Sequence, residues 1–162
     1  VRRHPHVFAQ SDASTTDAVL QQWDEIKRSE KGHEEQPYLH GVGKGLPALL
    51  RAAKLQKKAS KVGFDWPDQA GVIAKLREEL DELEAAIADG EDDHVNEELG
   101  DLLFSVVNLA RFRKLDPEVL MASANSKFED RFGAMEAALK REGIPLADAG
   151  AEKMDAVWNA VK

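Results

Sequence analysis

The chain has no cysteine. That absence removes disulfides, thiolate zinc centres and thiol nucleophiles together, and it agrees with a reducing compartment, so the cytoplasm is the expected location. Positive charge is scarce too, with 22 Lys and Arg against 30 Asp and Glu for a net charge of −8. No broad positive field is available to attract a nucleic-acid backbone or an anionic membrane, and neither is expected as a partner. Long apolar runs are missing. Charge breaks them every few residues, and the opening Val1-Arg-Arg-His-Pro-His6 holds no apolar signal segment, so nothing is expected to direct the chain to a membrane. No stretch alternates apolar and polar residues over strand length, which leaves no candidate sheet. What is present is 43% hydrophobic residues in 162 positions, enough for one domain with a core.

Residues 1–13 lack a helical period and read as an arm or linker remnant, with the domain proper expected over 14–162. A start at Val1 rather than Met agrees with a piece of a longer protein. Ser14 and Asp17 resemble a capping box, and Val19, Leu20, Trp23 and Ile26 follow at helical spacing to about Ser29. Gly32, Pro37, Gly41, Gly43 and Gly45 mark a long loop from Glu30 to Gly45. Pro47 suits the first residue of a second helix through Leu49, Leu50, Ala53 and Leu55, stopping near Gly63. A third helix runs from Asp68 to about Asp89 with the stripe Val72, Ile73, Leu76, Leu80, Leu83 and Ile87, ended by Gly90. A fourth, from Asp92 or Asp93 to Arg113, repeats the stripe with Val95, Leu99, Leu102, Leu103, Val106 and Ala110. Asp116-Pro117 caps and opens a fifth, closed by Gly143, and a short last helix holds Met154, Val157, Trp158 and Val161. The expected fold is an all-α helical bundle.

The most informative feature is an internal echo. Lys75-Leu-Arg-Glu-Glu-Leu-Asp-Glu-Leu83 returns 19 residues later as His94-Val-Asn-Glu-Glu-Leu-Gly-Asp-Leu102. At about 100° per residue, Glu79 and Glu82 flank one apolar stripe, and Glu98 and Asp101 take the same flank of the next. Lys75 and His94 share those flanks. The short connection at Gly90 makes the two helices antiparallel neighbours, so the four carboxylates can converge. Gly100, beside Asp101, permits close approach of a partner. Residues three apart on a helix lie roughly 5–6 Å apart, so each acidic pair can straddle a cation. Two ionised carboxylates at that distance repel by about 3 kcal/mol at an effective dielectric of about 20. A hard divalent ion, Mg²⁺ or Mn²⁺, relieves that repulsion and keeps positions open for phosphate oxygens and water. The plain alternative is a solvated acidic face, which a single Glu-x-x-Glu would favour. Duplication in register with both stripes argues for the metal. Glu78 and Glu97 lie further round, where solvation is the default and orienting or deprotonating water the alternative.

Other features are weaker. Gly41-x-Gly-Lys-Gly45 lacks the Gly-Lys-Ser/Thr ending and the preceding strand of a phosphate loop. His4, His6, His33 and His40 share no ligand spacing. Lys127 and Arg131 are four apart on the fifth helix, either as an ordinary exposed pair or as a phosphate grip. Trp158 and Phe128 read as core, with Trp158 alternatively stacking on a nucleobase.

At Glu78-Glu-x-x-Glu82 and Glu98-x-x-Asp101 the chain resembles the MazG family of nucleoside triphosphate pyrophosphohydrolases, specifically the C-terminal domain of the two-domain bacterial enzymes. The resemblance continues through Lys61-Val-Gly-Phe-Asp-Trp66, Glu97-Glu-Leu-Gly-Asp-Leu-Leu-Phe104, Val107-Asn-Leu-Ala-Arg111, Asn125-Ser-Lys-Phe-Glu-Asp-Arg-Phe132 and Val157-Trp158. It implies that Glu79, Glu82, Glu98 and Asp101 bind Mg²⁺. It further implies that Lys75, Glu78, the segment His94 to Glu97, Lys127, Arg131 and Trp158 contact the nucleotide; the family often has Lys where His94 stands. The opening Val1 to Phe8 resembles the segment that follows the upstream repeat of full-length members. The implied reaction is NTP + H₂O → NMP + pyrophosphate, in a homodimer or homotetramer that clears the nucleotide pool and is linked to the starvation response. Rival readings are a dUTP- or phosphoribosyl-ATP-specific hydrolase on the same fold and a non-enzymatic acidic module that recruits a basic partner. A ferritin-like di-iron centre fits worst, because it needs Glu-x-x-His pairs that neither helix has.

Overall fold

The short Gly90–Glu91 link sets the architecture, because it folds two long helices back on each other. The computed structural model describes residues 36–161. Its helices are α1 (Ala48–Ser60), α2 (Gln69–Asp89), α3 (Asp92–Phe112), α4 (Pro117–Arg141) and α5 (Gly150–Ala160), with 3₁₀ turns at Tyr38–Gly41 and Leu146–Asp148. Among the described residues there is no strand. Gly41–Lys162 form one compact unit. The expected arm over 1–13, the helix from Ser14 to Ser29 and most of the loop after it lie outside the described residues.

Local chemistry accounts for where the helices start and stop. The Asp68 carboxylate accepts from the backbone N–H of Ala70 at 2.9 Å and Gly71 at 3.1 Å, a cap contributing about 1 kcal/mol. Gly90 ends α2 at φ +76°, a left-handed position that favours glycine. Asp116 caps α4 through the N–H of Glu118 at 2.9 Å, and Pro117 occupies the first turn. One expected boundary shifts: Pro47 precedes α1 rather than opening it.

α2 and α3 form the most extensive helix pair, and α1 packs across α3 and touches α4. Gln56 of α1 is buried and donates its amide to the Phe104 carbonyl at 2.8 Å. Farther along the chain, Met135, Leu139 and Val157 form a small core between α4 and α5, joined at its edge by Phe132, Ile144, Met154 and Trp158.

One expectation is corrected here. Leu80, Ile87, Leu99, Leu103 and Val106 were read as core stripe, yet they are between 45% and 60% exposed. The packed faces are narrower, consisting of Val72, Leu83 and Ala86 on α2 with Val107 and Ala110 on α3. A stripe more than 100° wide exceeds what one antiparallel neighbour covers, so its outer edge stays at the surface. Among the described residues, no helix is long and apolar enough to cross a membrane.

Candidate metal centre and active site

The α2–α3 hairpin delivers three carboxylates to one place. Oxygens of Glu79, Glu98 and Asp101 all lie within 4.8 Å of one another. Glu79 is only 4% exposed, an unusual position for an acid, whereas Asp101 is at the surface. Opposed ligands of a cation bound at about 2.1 Å sit roughly 4.2 Å apart, so this spacing suits a shared divalent ion with hard oxygen donors. Glu82, expected as the fourth ligand, stands outside that triad and is about half exposed.

A cationic side chain already lies against the acids. The Lys75 ammonium is 2.7 Å from Glu78 Oε1, 2.8 Å from Glu79 Oε1 and 3.9 Å from Glu82 Oε2. Donation to the Glu78 and then the Glu79 carboxylate holds its amine well above the usual lysine value. On α3 the echo repeats, with His94 Nε2 3.1 Å from Glu98 Oε1. Glu78 and Glu97 are exposed, as expected from their place farther round each helix.

Lys127, Arg131 and Trp158 form a second locus. Lys127 and Arg131 line an open groove of about 850 Å³ along α4, with Val119, Ser123 and Val161 on its walls. Arg131 stacks over the Trp158 ring at 4.0 Å and donates to the Trp158 carbonyl at 2.6 Å. Trp158 is half-buried against Phe128, with ring centroids 5.5 Å apart, while Phe128 itself is largely exposed. Asp130 also lines this groove, whereas Glu79, Glu82, Glu98 and Asp101 do not. The fold thus brings Glu79, Glu98 and Asp101 together, and it joins Arg131 to Trp158.

One connection escaped sequence reasoning. The Arg111 guanidinium grips both oxygens of Asp65, at 3.0 Å from Nη1, and also bonds Asn108 Oδ1 at 2.9 Å from Nε. That grip holds the Asp65 carboxyl below its ordinary value, assisted by the Trp66 N–H. It anchors the turn before α2, where the Trp66 ring lies so close to Gly71 that an added Cβ would meet it at 2.6 Å. The two partners are 46 residues apart, beyond any local pattern.

Residues 68–133, which contain both acidic pairs, match the MazG nucleotide pyrophosphohydrolase domain. Through these residues the chain belongs to the MazG family. The whole chain is 42% identical to the nucleoside triphosphate pyrophosphohydrolase/pyrophosphatase MazG of Thermotoga maritima, covering 61% of that protein. It is 42% identical to the nucleoside triphosphate pyrophosphohydrolase of Escherichia coli, with 99% of this chain and 62% of the relative aligned. A third relative, the uncharacterized protein YabN of Bacillus subtilis, is 45% identical over the whole chain, which spans 33% of its length. The chain thus spans about three-fifths of the length of the first two relatives.

Proposed function

We propose that this chain hydrolyses nucleoside triphosphates to nucleoside monophosphates and pyrophosphate in the cytoplasmic nucleotide pool, with Mg²⁺ as cofactor and Mn²⁺ as a substitute. The observation that carries the reading is the meeting of Glu79, Glu98 and Asp101 within 4.8 Å inside the matched domain. Both similar enzymes bear the same activity in their names. Bound Mg²⁺ supplies charge neutralisation of the phosphates and a polarised water. Glu79, Glu98 and Asp101 hold it, with Glu82 completing the set from the next turn of α2. Lys75 and His94 would meet phosphate oxygens, and Glu78 and Glu97 would orient or deprotonate water. Lys127 and Arg131 offset negative charge as it spreads over the leaving pyrophosphate, and Trp158 offers a stacking face to the base.

Exposed apolar side chains on α3 and α4 favour assembly from more than one copy. Leu99, Leu103, Phe104 and Val106 on α3, with Val119, Leu120 and Met121 on α4, leave more apolar surface than a monomer usually presents. A homodimer or homotetramer would cover it. Sedimentation should give two or four copies, and a monomer at micromolar concentration would refute this part.

Product analysis tests the reaction. Wild type with Mg²⁺ should release pyrophosphate from a mixed nucleoside triphosphate set, and Glu98→Ala should lower the rate at least about a hundredfold. Orthophosphate as first product, or full activity in the variant, would overturn the mechanism.

A further inference from the structure

The buried Glu79 carboxylate already has a cationic partner, Lys75. Its ammonium bridges Glu78 and Glu79 at 2.7 and 2.8 Å and lies 3.9 Å from Glu82. Glu79 belongs at once to this ion pair and to the Glu79, Glu98 and Asp101 triad. A divalent ion held by that triad would place its charge a few ångströms from a fixed ammonium, and the two repel. Lys75 has a way out. Its side chain is 32% exposed, and its flexible four-carbon stem can carry the charge into solvent or onto a neighbouring anion.

Building on the metal reading above, we propose that Lys75 is a resident counter-ion for Glu79 that a divalent cation displaces on binding. In the metal-free chain the ammonium balances the buried carboxylate. Once the cation takes Glu79, the ammonium swings off it and becomes available to the phosphate oxygens that arrive at the same site. Lys75 is thus a positioning residue that couples cation occupancy to anion capture.

The test uses the full chain and Mn²⁺ alone as probe. Free Mn²⁺ is followed by its paramagnetic resonance for wild type, Lys75→Met and Glu98→Gln. In parallel, acetic anhydride labelling of wild type is mapped by mass spectrometry at matched ionic strength, with exposed Lys140 as the internal reference. We expect Mn²⁺ to raise Lys75 acetylation several-fold relative to Lys140, and Lys75→Met to bind Mn²⁺ about tenfold tighter than wild type. The labelling arm needs no variant, so it decides even if Lys75→Met fails to fold. Unchanged labelling on saturation with Mn²⁺, or equal or weaker binding by a folded Lys75→Met, overturns displacement; if Glu98→Gln still weakens binding, the metal site stands. Failure of wild type to bind Mn²⁺, or no effect of Glu98→Gln, removes the metal reading and this proposal with it.

Discussion

The α2–α3 hairpin and the α4–α5 pair place opposite chemistry inside. The first buries the Glu79 carboxylate and leaves Leu99 and Leu103 at the surface. The second encloses Met135, Leu139 and Val157, with the Arg131 charge kept at the edge over Trp158. A buried acid beside two others weakens the metal-free fold, whereas a closed apolar cluster strengthens it. Both regions bury apolar side chains, but only the first adds a buried acid to them, the kind of local cost that stability alone would not select.

Three substitutions can break or sharpen that contrast. Leu139 is fully buried, so Leu139→Ala should cost about 3 kcal/mol in thermal or urea unfolding while leaving Mn²⁺ affinity within about twofold. A parallel loss of cation binding would show that the regions do not divide the work. Asp65→Asn should cost about 1–3 kcal/mol near neutral pH, because it leaves the Arg111 grip with a weaker acceptor. The Asp65 carboxyl is held below its ordinary 3.8, so its stabilising effect is complete above about that pH and fades as acid protonates it through the lowered value. Melting curves of wild type and Asp65→Asn should therefore converge below about pH 3.8; a gap that stays constant into acid would remove the ion pair as its source. The smallest effect is a gain. Asp101→Asn relieves repulsion with Glu79 and Glu98, so the metal-free protein should gain about 1 kcal/mol while losing its Mg²⁺-induced rise in melting temperature. A less stable metal-free variant would mean that Asp101 is held by something other than like charge.

Much of this was legible in the chain because the decisive signals are local. Asp68, Gly90 and Asp116 mark helix ends through their own side chains or backbone freedom, and each stands where the pattern placed it. The echo of Lys75 to Leu83 in His94 to Leu102 put the acids on corresponding flanks, since a helix of known pitch converts spacing into direction. Periodicity does not say how much of an apolar face a neighbour covers, and so Leu80, Ile87 and Leu99 were placed too deep. Nor could it reveal that Asp65 meets Arg111 or that Gln56 reaches the Phe104 carbonyl, because both depend on how separate helices dock. The Gln56 contact had one faint sign, a polar residue on the apolar side of α1.

Because Glu79, Glu98 and Asp101 come from consecutive helices joined at Gly90, the loop that must close to assemble them is short. Contacts of low sequence separation form early and quickly when a chain folds. The acids can therefore meet while α4 and α5 are still unformed, so their mutual repulsion is felt at the hairpin stage, before the rest of the fold can offset it.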